Sequence, residues 1–100
     1  MHLLTLGLNH TTAPLSLREK VAFPGDALRD AVADLRRQLK VIVPESAILS
    51  TCNRTEIYCA TPDPQDAQAG IASWMAERNA LGGPSQLVPH LYARPNDQAV

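Results

Sequence analysis

The sequence predicts an α+β domain in which helices cover one face of an antiparallel sheet. Apolar runs of strand length alternate with stretches in which apolar residues recur at helical spacing. Gly- and Pro-containing turns separate these stretches. The chain has 100 residues, of which 45% are hydrophobic and 19% charged. This size and composition are typical of one globular domain.

The first half of the chain predicts a strand followed by helices. Residues 3–8 are short, apolar and partly alternating, and this strand ends at Asn9. Turn and cap residues follow as far as Pro14, and residues 15–23 predict a short helix. A longer amphipathic helix is expected after Asp26, its predicted N-cap. Its apolar stripe consists of Leu28, Ala31, Val32, Leu35 and Leu39.

The second half predicts two strands, a helix and a last strand. Residues 47–49 and 56–60 form strands on either side of a polar segment. Residues 67–78 predict a helix, which the Gly-Gly-Pro sequence at 82–84 ends. A last strand is expected within residues 87–92, where its proline restricts it to a sheet edge or a bulge. This order is the split β-α-β arrangement of a ferredoxin-like domain.

Charge and cysteine content give no sign of several classes of protein, although the charge balance does not exclude a nucleic-acid-binding face. Nine Lys and Arg against ten Asp and Glu give a net charge of −1, without the basic excess of most nucleic-acid-binding faces. Two cysteines are too few for a disulfide framework. No basic residue precedes the N-terminal apolar run, so a signal peptide is not expected. No apolar stretch approaches the roughly 20 residues that cross a bilayer. We therefore expect a cytoplasmic protein without membrane contact.

The polar segment at residues 50–56, STCNRTE, carries the reactive groups. A plain hairpin needs two or three turn residues, usually including Gly. This segment is longer and contains no Gly. Arg54 beside Cys52 would favour the nucleophilic thiolate, or would bind a substrate carboxylate. The alternative is structural, because a free cysteine is often a small buried hydrophobe and Asn, Thr and Glu often cap loops. The residues alone leave both interpretations open.

Two motifs resemble the N-terminal region of glutamyl-tRNA reductases. The first is GLNHTTAP at residues 7–14, followed by Arg-Glu at 18–19. The second is LSTCNRTEIY at residues 49–58. Tyr92 and the sequence DQAV at 97–100 also fit, so the resemblance spans the chain in the expected order.

The resemblance implies an NADPH-dependent reduction of glutamyl-tRNA to glutamate-1-semialdehyde, the entry step of tetrapyrrole (porphyrin) synthesis. The cysteine at position 52 would form a thioester with glutamate, which a hydride from NADPH would release as the aldehyde. Residues 1–100 would be the N-terminal catalytic, substrate-binding domain, ending before its last helix. The NADPH-binding and dimerisation domains would lie outside this chain. The full-length enzyme would be a homodimer in contact with glutamate-1-semialdehyde aminomutase.

The resemblance also assigns site residues. Cys52 is the expected nucleophile, and Arg54 is the best candidate for holding the glutamate carboxylates. Glu56 is expected to hold Arg54 or a backbone donor in place. Asn9 and His10 end the first strand and are expected near the nucleophile; loop capping by His10 is favoured over a general-base role. The substrate pocket would be lined by Thr51, Cys52, Asn53 and Arg54.

The chain is not expected to hold a cofactor or a metal. The glycine pair at residues 82–83 lacks a phosphate-cradling pattern, so no NADPH site is predicted here. Cys52 and Cys59, without a nearby histidine, make a poor metal site. Cys59 is instead assigned to the core, together with Trp74 and Met75.

A competing hypothesis comes from a different class of protein. In it, the chain is a non-catalytic ferredoxin-like module, RNA-contacting or regulatory, with a structural thiol. A cysteine hydrolase is less favoured, because no His-Asp or His-Asn arrangement can be assigned. The reactivity of Cys52 separates these hypotheses, since a poised nucleophile reacts with iodoacetamide much faster than a core thiol such as Cys59.

Overall fold

Four strands and three helices make up the part of the chain that is described. The computed structural model describes residues 1–51, 53–79 and 81–95. The elements in chain order are β1 (His2–Asn9), α1 (Leu15–Val21), α2 (Gly25–Gln38), β2 (Glu45–Ser50), β3 (Arg54–Thr61), α3 (Pro64–Arg78) and β4 (Tyr92–Pro95). Two short 3-10 turns, Pro84–Gln86 and Val88–His90, connect α3 to β4. None of the helices in the described ranges is long and apolar enough to span a membrane.

The strands form one sheet in the order β2-β3-β1-β4. Each neighbouring pair is antiparallel. The two central strands are therefore β1 and β3, and the short β4 lies at an edge beside β1. In the sheet, β3 lies between β1 and β2 although it follows both in the chain. This is the split β-α-β arrangement. The predicted α+β class and ferredoxin-like topology are confirmed.

One face of the sheet packs against the helices. Leu4 and Leu6 on β1 lie opposite Cys59 and Ile57 on β3, and all four are buried. These side chains share a face because alternate residues of a strand point the same way. The helical residues in the same core cluster are Ala31, Leu35, Ala67, Ile71, Trp74 and Met75. The prediction that Cys59, Trp74 and Met75 are core residues is confirmed.

The N-cap of α2 differs from the predicted residue. This helix begins at Gly25 after Pro24, so the prediction that Asp26 is its N-cap is wrong. Asp26 lies in the first turn, where a carboxylate favours the positive end of the helix dipole. For α3, the Asp63 carboxylate is the cap, accepting hydrogen bonds from the Gln65 and Asp66 amides at 3.0 and 3.2 Å.

The last strand lies later in the chain than predicted. Residues 87–92 were expected to be a strand, but most of them form 3-10 turns and β4 begins only at Tyr92. Proline has a fixed φ and no N–H, and Pro84 and Pro89 each lie at the start of a turn. The apolar run is nevertheless used for packing, because Leu87 is fully buried.

Candidate functional site

The two sequence motifs meet at one end of the central strands. β1 ends at Asn9, which pairs with Arg54 at the beginning of β3. Ser50, at the end of β2, pairs with Thr55 in the same part of the sheet. The β2–β3 turn therefore lies beside the loop that follows β1, as expected from an antiparallel pairing of these strands.

Thr51 closes the turn between β2 and β3. Its amide donates to the Arg54 carbonyl at 2.8 Å. Its hydroxyl oxygen accepts hydrogen bonds from the amides of Asn53 and Arg54, each at 3.2 Å. All three residues are exposed. Cys52, the predicted nucleophile, lies outside the described residues, so the site is defined by the residues on either side of it.

Asn9 organises the loop beside this turn. Its side-chain oxygen accepts from the Thr11 amide at 2.9 Å, the Thr11 hydroxyl at 2.7 Å and the Thr12 amide at 3.2 Å. The Thr12 hydroxyl in turn accepts from the Asn9 amide at 2.9 Å. These bonds cap the backbone of the loop. His10 is exposed beside them. The Thr12 carbonyl also contacts Nδ1 of His90 at 3.1 Å, which ties the 3-10 segment to this loop.

A buried carboxylate on the opposite face of the sheet from the helices anchors a cluster of four side chains. We call Arg54, Glu56, Tyr58 and Tyr92 the Glu56 cluster. Glu56 is only 4% exposed. Its Oε1 accepts from the Tyr58 hydroxyl at 2.8 Å and lies 3.4 Å from Nε of Arg54. Its Oε2 accepts from the Tyr92 hydroxyl at 2.6 Å. Both oxygens of the carboxylate are thus engaged.

Gly7 provides the space in which this cluster forms. It lies on the central strand β1, where it pairs with Glu56 on one side and Tyr92 on the other. A Cβ on this residue would lie 2.8 Å from Cγ of Glu56 and 2.7 Å from the Thr55 carbonyl oxygen. The absence of a side chain therefore lets the Tyr92 ring and the Glu56 carboxylate meet across the strand.

The protonation states of the cluster follow from these contacts. Burial alone would raise the pKa of Glu56, but hydrogen bonds from Tyr92 and Tyr58 and the charges of Arg54 and Arg94 outweigh it, so the pKa is lowered. Burial, together with the hydrogen bond and charge of Glu56, raises the pKa of Tyr58 and of Tyr92. Both phenols therefore remain donors at neutral pH, and Glu56 remains an anion.

The sequence analysis missed both tyrosines as members of the site. Tyr58 could be predicted from the sequence, because it lies two residues after Glu56 and alternate residues of a strand share a face. Tyr92 was not, because its position depends on the pairing of β4 with β1 at Gly7. The guanidinium of Arg94 lies 4.8 Å from the centre of the Tyr92 ring, a cation–π contact on the same face.

The second cysteine has the properties of a structural thiol. Cys59 is 6% exposed and belongs to the core cluster. Burial raises its pKa to about 11, so the thiolate is rare at neutral pH. The reactive role that the sequence suggested for Cys52 therefore does not extend to Cys59.

The described residues offer no fit for a nucleotide or a metal ion. Gly82 and Gly83 have positive φ angles of 82° and 149° and lead into a 3-10 turn, without the strand-turn-helix that cradles a pyrophosphate. Within these residues, no group of three or more His, Cys, Asp or Glu side chains could hold a metal. A groove of about 860 Å³ lies at the other end of β2 and β3, and Thr51, Asn53 and Arg54 are not part of its lining.

Comparisons with known proteins agree with the resemblance of the motifs. A family model described as the glutamyl-tRNAGlu reductase N-terminal domain matches residues 6–100. Among solved structures, the chain is similar to a glutamyl-tRNA reductase from Methanopyrus kandleri, with 22% sequence identity and a TM-score of 0.53. This match covers 97% of the present chain and 20% of the other. It supports the fold, and the present chain spans one fifth of the length of that protein.

Proposed function

Because the family model matches nearly the whole length of this chain, the chain belongs to the glutamyl-tRNA reductase family and corresponds to the N-terminal domain, and we propose that it is the catalytic domain of such an enzyme. In this proposal Cys52 forms a thioester with the glutamate of glutamyl-tRNA. Thr51, Asn53 and Arg54 line the pocket around it. The product of the complete enzyme is glutamate-1-semialdehyde, which feeds porphyrin synthesis.

The observation that carries this proposal is the environment of Arg54. Its side chain is 52% exposed, and its Nε pairs with the buried Glu56 at 3.4 Å. It lies two residues after Cys52 in the sequence. In an aminoacyl ester the α-carboxyl is esterified, so the side-chain carboxylate of glutamate is the free anion. A guanidinium recognises such a carboxylate through two parallel hydrogen bonds.

The proposed covalent step transfers the glutamyl group from oxygen to sulfur. The thiolate of Cys52 attacks the ester carbonyl carbon, and a C–S bond forms. The C–O bond to the terminal ribose of the tRNA breaks, and the ribose oxygen leaves and takes up a proton. Splitting the reaction in this way replaces one difficult step by two easier ones, because a thioester is a better hydride acceptor than an oxygen ester.

The reduction itself belongs to parts of the enzyme outside this chain. The described residues do not fit NADPH, so the steps argued from this domain end at the thioester. For the full-length enzyme we propose NADPH as the reductant, a homodimeric assembly and a cytoplasmic location. We further propose contact with glutamate-1-semialdehyde aminomutase, which would receive the aldehyde.

Replacement of each cysteine in the full-length enzyme tests the proposal. With 14C-labelled glutamyl-tRNA and no NADPH, Cys52→Ser should abolish the label that stays with the protein after ribonuclease digestion and acid precipitation, while the far-UV circular dichroism is retained. Cys59→Ala is the matched control, because that thiol is buried on the helix-covered face and should be dispensable for labelling. Undiminished covalent labelling in Cys52→Ser would refute the assignment.

Alkylation of the two cysteine thiols gives a second test. At pH 7, iodoacetamide should modify Cys52 much faster than Cys59, whose pKa of about 11 and burial both slow the reaction. Peptide mass spectrometry after short exposure separates the two sites. Equal and slow modification of both would favour a non-catalytic module with structural thiols.

A further inference from the structure

The Glu56 cluster contains an acceptor with a fixed orientation. A carboxylate can rotate about its terminal bond, but here each oxygen receives a phenolic hydroxyl, from Tyr58 at 2.8 Å and from Tyr92 at 2.6 Å. Two donors on different oxygens define the plane of the group. The Oε1 atom is therefore presented to Nε of Arg54 in a single direction.

The contact between Glu56 and Arg54 uses one edge of the guanidinium. The ion pair joins Nε of Arg54 to Oε1 of Glu56 at 3.4 Å, and the guanidinium carries two further terminal nitrogens. Because the Arg54 side chain is 52% exposed, solvent and a substrate can reach the guanidinium even while Nε lies against the buried carboxylate. The terminal nitrogens of a guanidinium can bind a second carboxylate in a bidentate manner.

Tyr92 links this arrangement to a distant part of the chain. It follows Glu56 by 36 residues and reaches it only because β4 pairs with β1 at Gly7. Its ring is in turn stacked by the Arg94 guanidinium, at 4.8 Å. Tyr92 does not itself contact Arg54 through any described hydrogen bond. Its influence on Arg54 passes through the Glu56 carboxylate.

We propose that Tyr92 is a positioning residue for substrate recognition: through Glu56, it orients Arg54 toward the side-chain carboxylate of the glutamyl group. This inference rests on the proposed function, in which Arg54 binds that carboxylate. Tyr92 then contributes to the discrimination between glutamyl-tRNA and glutaminyl-tRNA. With both amino acids attached to the same tRNA, the two substrates differ only in that the second carries a neutral amide in place of the carboxylate.

The test compares kcat/KM for glutamyl-tRNA and glutaminyl-tRNA in the full-length enzyme. Tyr92→Phe keeps the ring and removes the hydroxyl. It should lower kcat/KM for glutamyl-tRNA about 5- to 10-fold, mainly through KM, because only part of the free energy of this hydrogen bond reaches the substrate through Glu56 and Arg54. The slow reaction of glutaminyl-tRNA should be unchanged. A purely structural defect would lower both values by the same factor.

Two further variants make the outcome unambiguous. Arg54→Lys should abolish most of the discrimination, because lysine lacks the bidentate edge. Thr61→Val removes a buried hydroxyl from the other end of β3 and should leave the ratio at the wild-type value. If Arg54→Lys abolishes discrimination and Tyr92→Phe leaves the ratio at the wild-type value, the role of Tyr92 is refuted alone. If both Tyr92→Phe and Arg54→Lys keep the wild-type ratio, the carboxylate-binding role of Arg54 is refuted, and the role of Tyr92 is refuted with it.

Discussion

The hydroxyl of Tyr92 donates to Glu56 at 2.6 Å across Gly7, which pairs with both residues in the sheet. A buried carboxylate in the middle of a sheet would ordinarily be costly, because burial disfavours its charge. Here two phenols and a guanidinium compensate that cost. The arrangement depends on a position without a side chain, and this dependence can be tested directly.

Gly7→Ala should destabilise the domain by about 1–3 kcal/mol, the usual cost of forcing an extra methyl into a packed site. The new Cβ would lie 2.7 Å from the Thr55 carbonyl oxygen and 2.8 Å from Cγ of Glu56, so the backbone or the carboxylate must move. Urea unfolding followed by circular dichroism measures the change. Gly25→Ala, which places its Cβ in open space, is the control and should be neutral or slightly stabilising. Equal effects of the two variants would contradict the close contact at Gly7.

Glu56→Gln should destabilise the domain at neutral pH and much less in acid. The pKa of Glu56 is lower in the folded protein than its ordinary value of 4.5. Its charge therefore contributes stability that is fully present above pH 4.5 and is lost as the pH falls through the folded-state pKa. The difference in unfolding free energy between wild type and variant should shrink as the pH is lowered from 7 to 3. A difference independent of pH would show that the Glu56 charge does not stabilise the fold.

Two serines on the helix-covered face of β2 should respond differently to replacement by alanine. Ser50 Oγ accepts from the Phe23 amide at 2.9 Å, so Ser50→Ala should cost about 1–3 kcal/mol by leaving that buried donor unpaired. Ser46 Oγ is buried without a hydrogen-bond partner among the described residues. Ser46→Ala should therefore be neutral or stabilising by up to about 1 kcal/mol. Thermal unfolding of both variants under identical conditions checks this, and a substantial loss of stability in Ser46→Ala would reveal a partner for its hydroxyl.

Trp74→Phe should break a hydrogen bond between the two long helices. The indole Nε1 of Trp74 donates to Oδ2 of Asp34 at 2.8 Å, and this bond is the main cause of the lowered pKa of Asp34. Its loss should cost about 1.5–3 kcal/mol, the range for hydrogen bonds to charged groups. The pKa of Asp34, measured by NMR titration, should rise toward its ordinary value.

Another partner of Asp34 supplies the control for this prediction. Arg37 pairs with the same carboxylate, but its side chain is 70% exposed. Exposed ion pairs stabilise proteins by less than about 1 kcal/mol, so Arg37→Ala should change the unfolding free energy little. A larger effect for Arg37→Ala than for Trp74→Phe would overturn the ranking of these two contacts.

Periodicity predicted the elements whose burial pattern is regular. β1 was expected over residues 3–8 and extends from His2 to Asn9, and the buried residues of α2 fall on the predicted stripe. β4 was misplaced, because the apolar run at residues 87–92 packs mostly as turns while the strand itself, YARP, lies at the edge with Ala93 and Arg94 exposed. Hydrophobic pattern identifies what is buried, and an edge strand with little burial leaves no such pattern.

The site was predictable to the extent that its residues are neighbours in sequence. The expected proximity of Glu56 to Arg54 corresponds to an ion pair at 3.4 Å, since the two residues share a face of β3. The contribution of Tyr92 arises from strand order and register, which the position of an edge strand determines. Neither the spacing of Tyr92 from Glu56 nor its residue type indicates that contact. The roles of Cys52, Thr51 and Asn53 in binding substrate stay predictions.

The position of Tyr92 on the shortest strand has a dynamic consequence. β4 has four residues and pairs with β1 at the edge of the sheet, so its amides should exchange with solvent through local opening rather than global unfolding. Every such opening withdraws a hydrogen bond from Glu56, on the far side of the central strand. In the proposed arrangement, fraying of an edge strand therefore contributes to the conformational freedom of the Arg54 guanidinium, separately from the stability of the core beneath the sheet.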